Sequence, residues 1–312
     1  MSVVLARVTR SGFVESEHRG SVVSLDPEGT QVFALGDVET PVFPRSSLKP
    51  LQVVGMLRAG LSLATPDVAL AAASHSGEGK HVSRVRDLLH RAGLPESALA
   101  CPASLPLSQA AAEATIRAGG GPSRVQMNCS GKHAAMLLTC LAGGWPTEGY
   151  LDPGHPVQKT IRGAIEDLSG EPAAAVGVDG CGAPVFAMSL CGLARSFARL
   201  VRGAPGSPER TVADAMRAHP DLVGGDGRDV TSMMAGVPGL LAKDGAEGVY
   251  AAALDTGAAT AVKIDDGAAR ARAPVMVREL RRLGAEGPVL DELAELPVLG
   301  GGRPVGTVRT VY

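Results

Sequence analysis

The first three dozen residues alternate apolar and polar side chains, and then the period changes. Val3 to Val8, Gly20 to Leu25 and Gln31 to Leu35 are rich in β-branched residues, with turn chemistry at Asp26-Pro27-Glu28-Gly29. They predict an antiparallel meander. After Pro41 and Pro44 the apolar positions fall at Leu48, Leu51, Val54 and Leu57, a helical spacing that ends before Gly60 and puts Ser46 at or near a helix start. From Pro66 to Val201 helical patterns alternate with Gly-rich loops. Asp67 to Ala73, His81 to Ala92, Gln109 to Ala118, His133 to Leu141, His155 to Leu168 and Val185 to Val201 are read as helices. Gly203 to Pro208 breaks the run, Glu209 to Ala218 adds a helix, and Gly224-Gly225-Asp226-Gly227 reads as a loop. Strands resume at Gly248 to Leu254 and Thr260 to Ile264, around a turn at Asp255-Thr256-Gly257. A helix from Val275 to Leu283 and a strand from Arg303 to Tyr312 close the pattern.

Strands at both ends around a helical middle predict an α+β architecture, an antiparallel sheet built from both chain ends and flanked by helices. The expected division is a sheet domain from 1–65 and 210–312, and a mainly helical region, 66–209, that carries the cysteine-bearing loops.

Composition narrows the function. Aromatics make up 3% of the 312 residues, so the core is aliphatic and base-stacking platforms for single-stranded nucleic acid are not expected. With 30 basic against 32 acidic residues there is no global positive field to gather nucleic acid or anionic lipid. Arg7 and Arg10 interrupt what would be the apolar stretch of a signal peptide within Met1 to Ser11, and no apolar run reaches membrane-spanning length. The expectation is a cytoplasmic protein that handles a small molecule. Five cysteines, an odd number in a reducing compartment, point to burial, metal binding or reactivity ahead of a disulfide framework.

Four segments carry candidate chemistry. In Arg45-Ser46-Ser47-Leu48-Lys49-Pro50, residues three apart share a helical face, so the Lys49 amine can reach the Ser46 hydroxyl and activate it if burial or a nearby cation keeps that amine neutral. An ordinary N-cap serine with a solvated lysine explains the same spacing. Ala73-Ser74-His75-Ser76-Gly77-Glu78 clusters hydroxyls, an imidazole and a carboxylate, as a second catalytic hydroxyl or substrate anchor requires, or as a helix C-terminus closed by Gly77. Asn128-Cys129-Ser130-Gly131-Lys132-His133 and Val178-Asp179-Gly180-Cys181-Gly182-Ala183-Pro184 each place a cysteine in a Gly-bearing loop ahead of an expected helix, where the dipole favours a thiolate. The two loops could form one zinc site, or the thiols could be buried and inert. Ala242-Lys243-Asp244-Gly245 could present a cation and backbone donors to a substrate carboxylate from an edge strand, or be a charged strand-entry turn.

Taken together these segments resemble the class 3 asparaginase family, the rhizobial inducible type, from the N-terminal strands to Lys243. The resemblance implies a fold similar to serine β-lactamases and glutaminases, and hydrolysis of the side-chain amide of L-asparagine to L-aspartate and ammonia. Carried over by motif, Ser46 with Lys49 and Ser74 with Lys243 match the family's two Ser/Lys pairs, with Ser76 an alternative to Ser74. Ser46 is the favoured nucleophile, though the division of labour between the pairs stays open. Cys129, Lys132 and Cys181 match its zinc ligands. Arg45, His75, Asp179 and Gly245, which flank these positions, are the expected substrate-binding residues. The resemblance also implies Zn²⁺ without an organic cofactor, and a homodimer with no nucleic-acid or membrane partner. The alternatives are a glutaminase, a penicillin-recognising serine acyl-transferase or β-lactamase, and a non-catalytic zinc or amino-acid binding module.

Overall fold

The period-two pattern at the N-terminus forms two long strands, β1 (Val3–Arg10) and β2 (Phe13–Leu25). Ser11 and Gly12 join them with positive φ at both positions, the conformation whose twist matches that of the flanking strands. The computed structural model describes residues 2–312; Met1, which opens the segment read against a leader, lies outside them. Strand β3 (Gln31–Leu35) pairs with β2 as expected. The chain then passes through a 3-10 turn, Arg45–Leu48, into α1 (Lys49–Arg58), α2 (Thr65–Ala71), α3 (Gly79–Arg91), α4 (Gln109–Arg117), α5 (Ser130–Ala142) and α6 (Pro156–Ser169). A short hairpin, β4 (Ala175–Val178) and β5 (Pro184–Ala187), precedes α7 (Leu190–Arg202), α8 (Pro208–Ala218), α9 (Pro220–Val223) and α10 (Asp229–Gly236). The C-terminal part runs β6 (Leu241–Asp244), β7 (Val249–Ala253), β8 (Ala259–Ile264), α11 (Arg272–Arg282), α12 (Pro288–Ala294), β9 (Glu295–Gly300) and β10 (Arg303–Thr310).

The main sheet has the order β6-β7-β8-β2-β1-β10-β9, with β3 also paired to β2, and all its neighbours are antiparallel. Both chain ends build it, as the alternation predicted. Helices α7 and α11 pack on its strands. One continuous apolar cluster runs through sheet and helices, so the core is not interrupted at residues 65 or 210. No described helix is long and apolar enough to cross a membrane.

Three local expectations need correction. Val185 to Val201 is not one helix. Val185 and Phe186 pair across the β4–β5 hairpin with Gly177 and Val176, and Ser189 starts α7 by accepting a hydrogen bond from Gly192 N at 2.8 Å. A continuous apolar run does not reveal where such a change of period falls. Ala73 and Ser74 lie beyond the end of α2, in chain without regular secondary structure. Cys181 sits in the hairpin turn and not ahead of a helix, so only Cys129, the N-cap of α5, has the helix-start setting expected of both.

Glu279 ties the layers together. Fully buried on α11, its carboxylate accepts from Ser24 Oγ of β2 at 2.8 Å, Tyr312 Oη at 2.9 Å and Arg282 Nε at 3.1 Å. Glu279→Ala removes the acceptor that these three donors share and is expected to lower unfolding stability by about 3 kcal/mol. Urea denaturation checks this, and an unchanged midpoint contradicts it.

Candidate active site

The turn bearing Ser46 is strained and held from two sides. Arg45 adopts a left-handed φ of 53°, uncommon for a side chain with a Cβ. Its Nε donates to Asp179 Oδ1 at 2.7 Å, fixing the turn to the β4–β5 hairpin. On the other side Ser47 Oγ donates to Lys243 O at 3.0 Å. The end of β6 comes so near that a Cβ on Gly245 would lie 2.5 Å from Pro44 O, which only glycine avoids.

Burial decides what the lysines reach. Lys49 is 1% exposed, and its Nζ donates to Ala73 O at 2.5 Å and Ser74 Oγ at 2.9 Å. Ser46 Oγ takes part in no hydrogen bond among the described residues, so the expected contact between Ser46 and Lys49 gives way to one between Lys49 and Ser74. Lys243, on edge strand β6, turns to its own neighbour and donates to Asp244 O at 2.7 Å and Oδ1 at 2.6 Å, not to Ser74. Ser76 Oγ donates to Gly224 O at 2.9 Å, which leaves Ser74 as the serine of this segment that faces the site.

A cavity of about 200 Å³ is lined by both Ser46 and Ser74, with Asn128, Arg228, Asp244, Gly245, Ala246, Arg272 and Leu107. Of the expected substrate-binding residues, Gly245 lines it and Arg45, His75 and Asp179 do not. His75 is buried behind it, with Nδ1 accepting from Gly77 N at 3.1 Å. That tautomer leaves Nε2–H to donate to Ser130 Oγ at 2.9 Å. Burial holds this imidazole well below its usual range, hence neutral. Its work is to shape the segment that presents Ser74. Arg228 and Arg272 show no local pattern in the sequence, and Asp244, though inside a candidate segment, has no role that its neighbours reveal.

Asp244 sits between three cations. Oδ1 takes Lys243, while Oδ2 lies 2.6 Å from Arg228 Nη2 and 3.4 Å from Arg272 Nη2. Burial opposes its charge, yet these cations hold the carboxyl far below its ordinary range, so it is ionised. Burial pushes the Lys243 amine down to about 8; the charge of Lys49 adds to that effect and Asp244 resists it.

The cysteine loops do converge. Cys129, Lys132 and Cys181 are all buried, and Lys132 Nζ lies 3.3 Å from Cys181 Sγ. The Cys129 proton has Asn128 Oδ1 at 3.0 Å and the Cys181 sulfur within reach. Hydrogen bonding from Cys129, the Lys132 charge and His133 hold the Cys181 thiol far below its usual range, while that same hydrogen bond and burial push Cys129 up. Burial opposes the Lys132 charge, but the Cys181 thiolate keeps it protonated. His133 Nδ1 meets Tyr150 Oη at 2.7 Å, which leaves its buried Nε2 as the nitrogen on the side of the Cys181 sulfur. Two thiols and an amine are donors of the kind a soft, zinc-like ion takes. Among the described residues no three His, Cys, Asp or Glu side chains could hold a metal, so any such site depends on Lys132.

What fold and cavity define together is an α+β protein with paired hydroxyls, a buried lysine and a cationic wall around a space for a small polar molecule. A family model described as L-asparaginase II matches residues 6–310, and the chain belongs to that family. It is an amidohydrolase, an L-asparaginase. No curated protein matches the chain. A solved structure of a beta-lactamase-like protein from Bacteroides dorei DSM 17855 aligns at 14% identity over 79% of this chain and 84% of that one, with a TM-score of 0.44.

Because Asp244 resists the fall of the Lys243 pKa, Asp244→Asn is expected to lower it below about 8. Lysine side-chain NMR across a pH titration measures this; an unchanged or raised value contradicts the geometry. The sign for stability follows too. Between about 8 and the ordinary 10.5 the unfolded chain binds more protons at this lysine than the folded one, so its contribution favours folding increasingly as pH rises.

Proposed function

We propose that the chain hydrolyses the side-chain amide of L-asparagine with Ser46 as nucleophile, Lys49 as base and Ser74 as the hydroxyl between them. The observation that carries this reading is the buried hydrogen bond from Lys49 to Ser74, made beside a cavity that Ser46 also lines. A base acts on the hydroxyl it touches, and Lys49 touches Ser74. As Ser46 Oγ attacks the carboxamide carbon, its proton passes to Ser74 Oγ, and the proton of Ser74 passes to Lys49 acting as the amine. The same route in reverse protonates the departing nitrogen, so ammonia leaves and an ester of aspartate remains on Ser46. Water deprotonated through the same pair then releases L-aspartate.

Cys129, Lys132 and Cys181 are proposed as zinc ligands. Zinc bound there supplies a cross-link between the start of α5 and the β4–β5 hairpin. Lys132, a cation without metal, would have to give up a proton to hold the ion. The Arg45–Asp179 bond carries the position of that hairpin to the Ser46 turn. A cytoplasmic homodimer without an organic cofactor belongs to the same reading, and sedimentation tests the dimer.

Ser46→Ala is expected to abolish ammonia release and the acyl adduct seen by mass spectrometry after rapid quench. Ser74→Ala should slow turnover about 10² to 10⁴-fold while leaving Ser46 as the acylated residue. An adduct on Ser74 in the Ser46→Ala protein would transfer the nucleophile's role. Full activity of Ser74→Ala would remove the relay. Cys181→Ser should cut zinc content by metal analysis, with Cys140→Ser, remote from the loops, keeping it.

A further inference from the structure

The charges around the cavity do not balance. Its lining carries two guanidinium groups, Arg228 and Arg272, against one carboxylate, Asp244. The charge of Asp244 is already matched, by Lys243 at Oδ1 and by Arg228 at Oδ2 with Arg272 3.4 Å away. Substrate therefore meets donors in excess. Arg272 is largely committed, with Nη1 on Gly245 O at 2.7 Å, Nη2 between Asp244 and Asp229 at 3.4 and 3.6 Å, and its guanidinium 5.3 Å from the Tyr250 ring centre. Arg228 is not. Only Nη2 makes a short bond, Nη1 reaches Ser74 O at 3.5 Å, and 26% of its side chain is exposed. Its place just before α10 follows from the glycine loop ending at Gly227, where φ is 71°. A guanidinium oriented by a buried carboxylate, with free N–H groups over a small cavity, is built to take a second carboxylate.

We propose that Arg228 anchors the α-carboxylate of the substrate, and that the site recognises amides by this carboxylate and not by the α-ammonium group. The proposal rests on the asparaginase reading and names the specificity residue of that site. A substrate ammonium would enter a wall already in cationic surplus whose single carboxylate is engaged, so the α-amino group contributes little.

Two asparagine fragments separate the groups. Succinamate keeps the carboxylate and lacks the amine, and 3-aminopropanamide keeps the amine and lacks the carboxylate. In the unaltered protein kcat/KM for succinamate should fall within about tenfold of L-asparagine, and that for 3-aminopropanamide about 100-fold lower. Arg228→Gln should lose about 100-fold on L-asparagine and succinamate with little further loss on 3-aminopropanamide, and Arg228→Lys should recover part of that loss. An equal loss on both fragments reduces Arg228 to a structural role and overturns the assignment, as does 3-aminopropanamide matching succinamate in the unaltered protein. Calorimetric binding of the fragments to Ser46→Ala reads recognition apart from chemistry. If no amide is hydrolysed yet succinamate binds in an Arg228-dependent way, the activity reading fails and this one stands.

Discussion

Asp244 lies at the end of edge strand β6, 4% exposed, with Lys243, Arg228 and Arg272 all turned toward its two oxygens. Desolvating a charge costs several kcal/mol, and gathering three cations around one carboxylate makes sense energetically only if the carboxylate stays ionised and the surplus reaches solvent or a ligand. Burial drives the Lys243 amine down to about 8 even though Asp244 holds it up. Fields of this kind, fixed by the fold before substrate arrives, require no reorganisation when new negative charge appears. Attack on a carboxamide creates such charge at the carbonyl oxygen, so the centre suits the amidohydrolase chemistry of the family.

Long-range topology creates that centre. Arg228 precedes α10, Lys243 and Asp244 end β6, and Arg272 begins α11, so three elements deliver their ends to one point. The sheet order leaves β6 at an edge, where its last residues are free to meet the 45–48 turn through Ser47 and Gly245. Were β6 a central strand, neighbours on both sides would occupy the backbone groups that face this turn.

The sequence reading went as far as local periodicity carries. The N-terminal strands, most helices and the sheet built from both ends were legible, because each rests on a repeat within one segment. β6 is four residues, Leu-Ala-Lys-Asp, too short to show alternation, and its sequence is equally compatible with an edge strand and with a charged turn. Ser46 and Lys49 were visible as a spacing, but a spacing cannot say where a four-carbon side chain points. The choice between Ser46 and Ser74 depends on burial 25 residues away. Arg228 was hidden for the opposite reason: a glycine loop looks like punctuation, and nothing within it shows that its last turn aims a guanidinium into a cavity.

The thiol cluster and the hydroxyl site are mechanically one unit. Asn128 lines the cavity while the next residue, Cys129, faces Cys181, so a single peptide bond separates the two environments. On the far side Asp179 holds Arg45, two residues before Cys181 and one before Ser46, across a 2.7 Å ion pair. Both ends of the cluster are thus tied to the walls that position the serines. The left-handed Arg45 would relax if that pair were free to let go, and the buried cluster at the root of the hairpin keeps Asp179 where the strain can be held. The cysteine loops and the Ser46 turn thus share one support, the β4–β5 hairpin that Asp179 ties to Arg45.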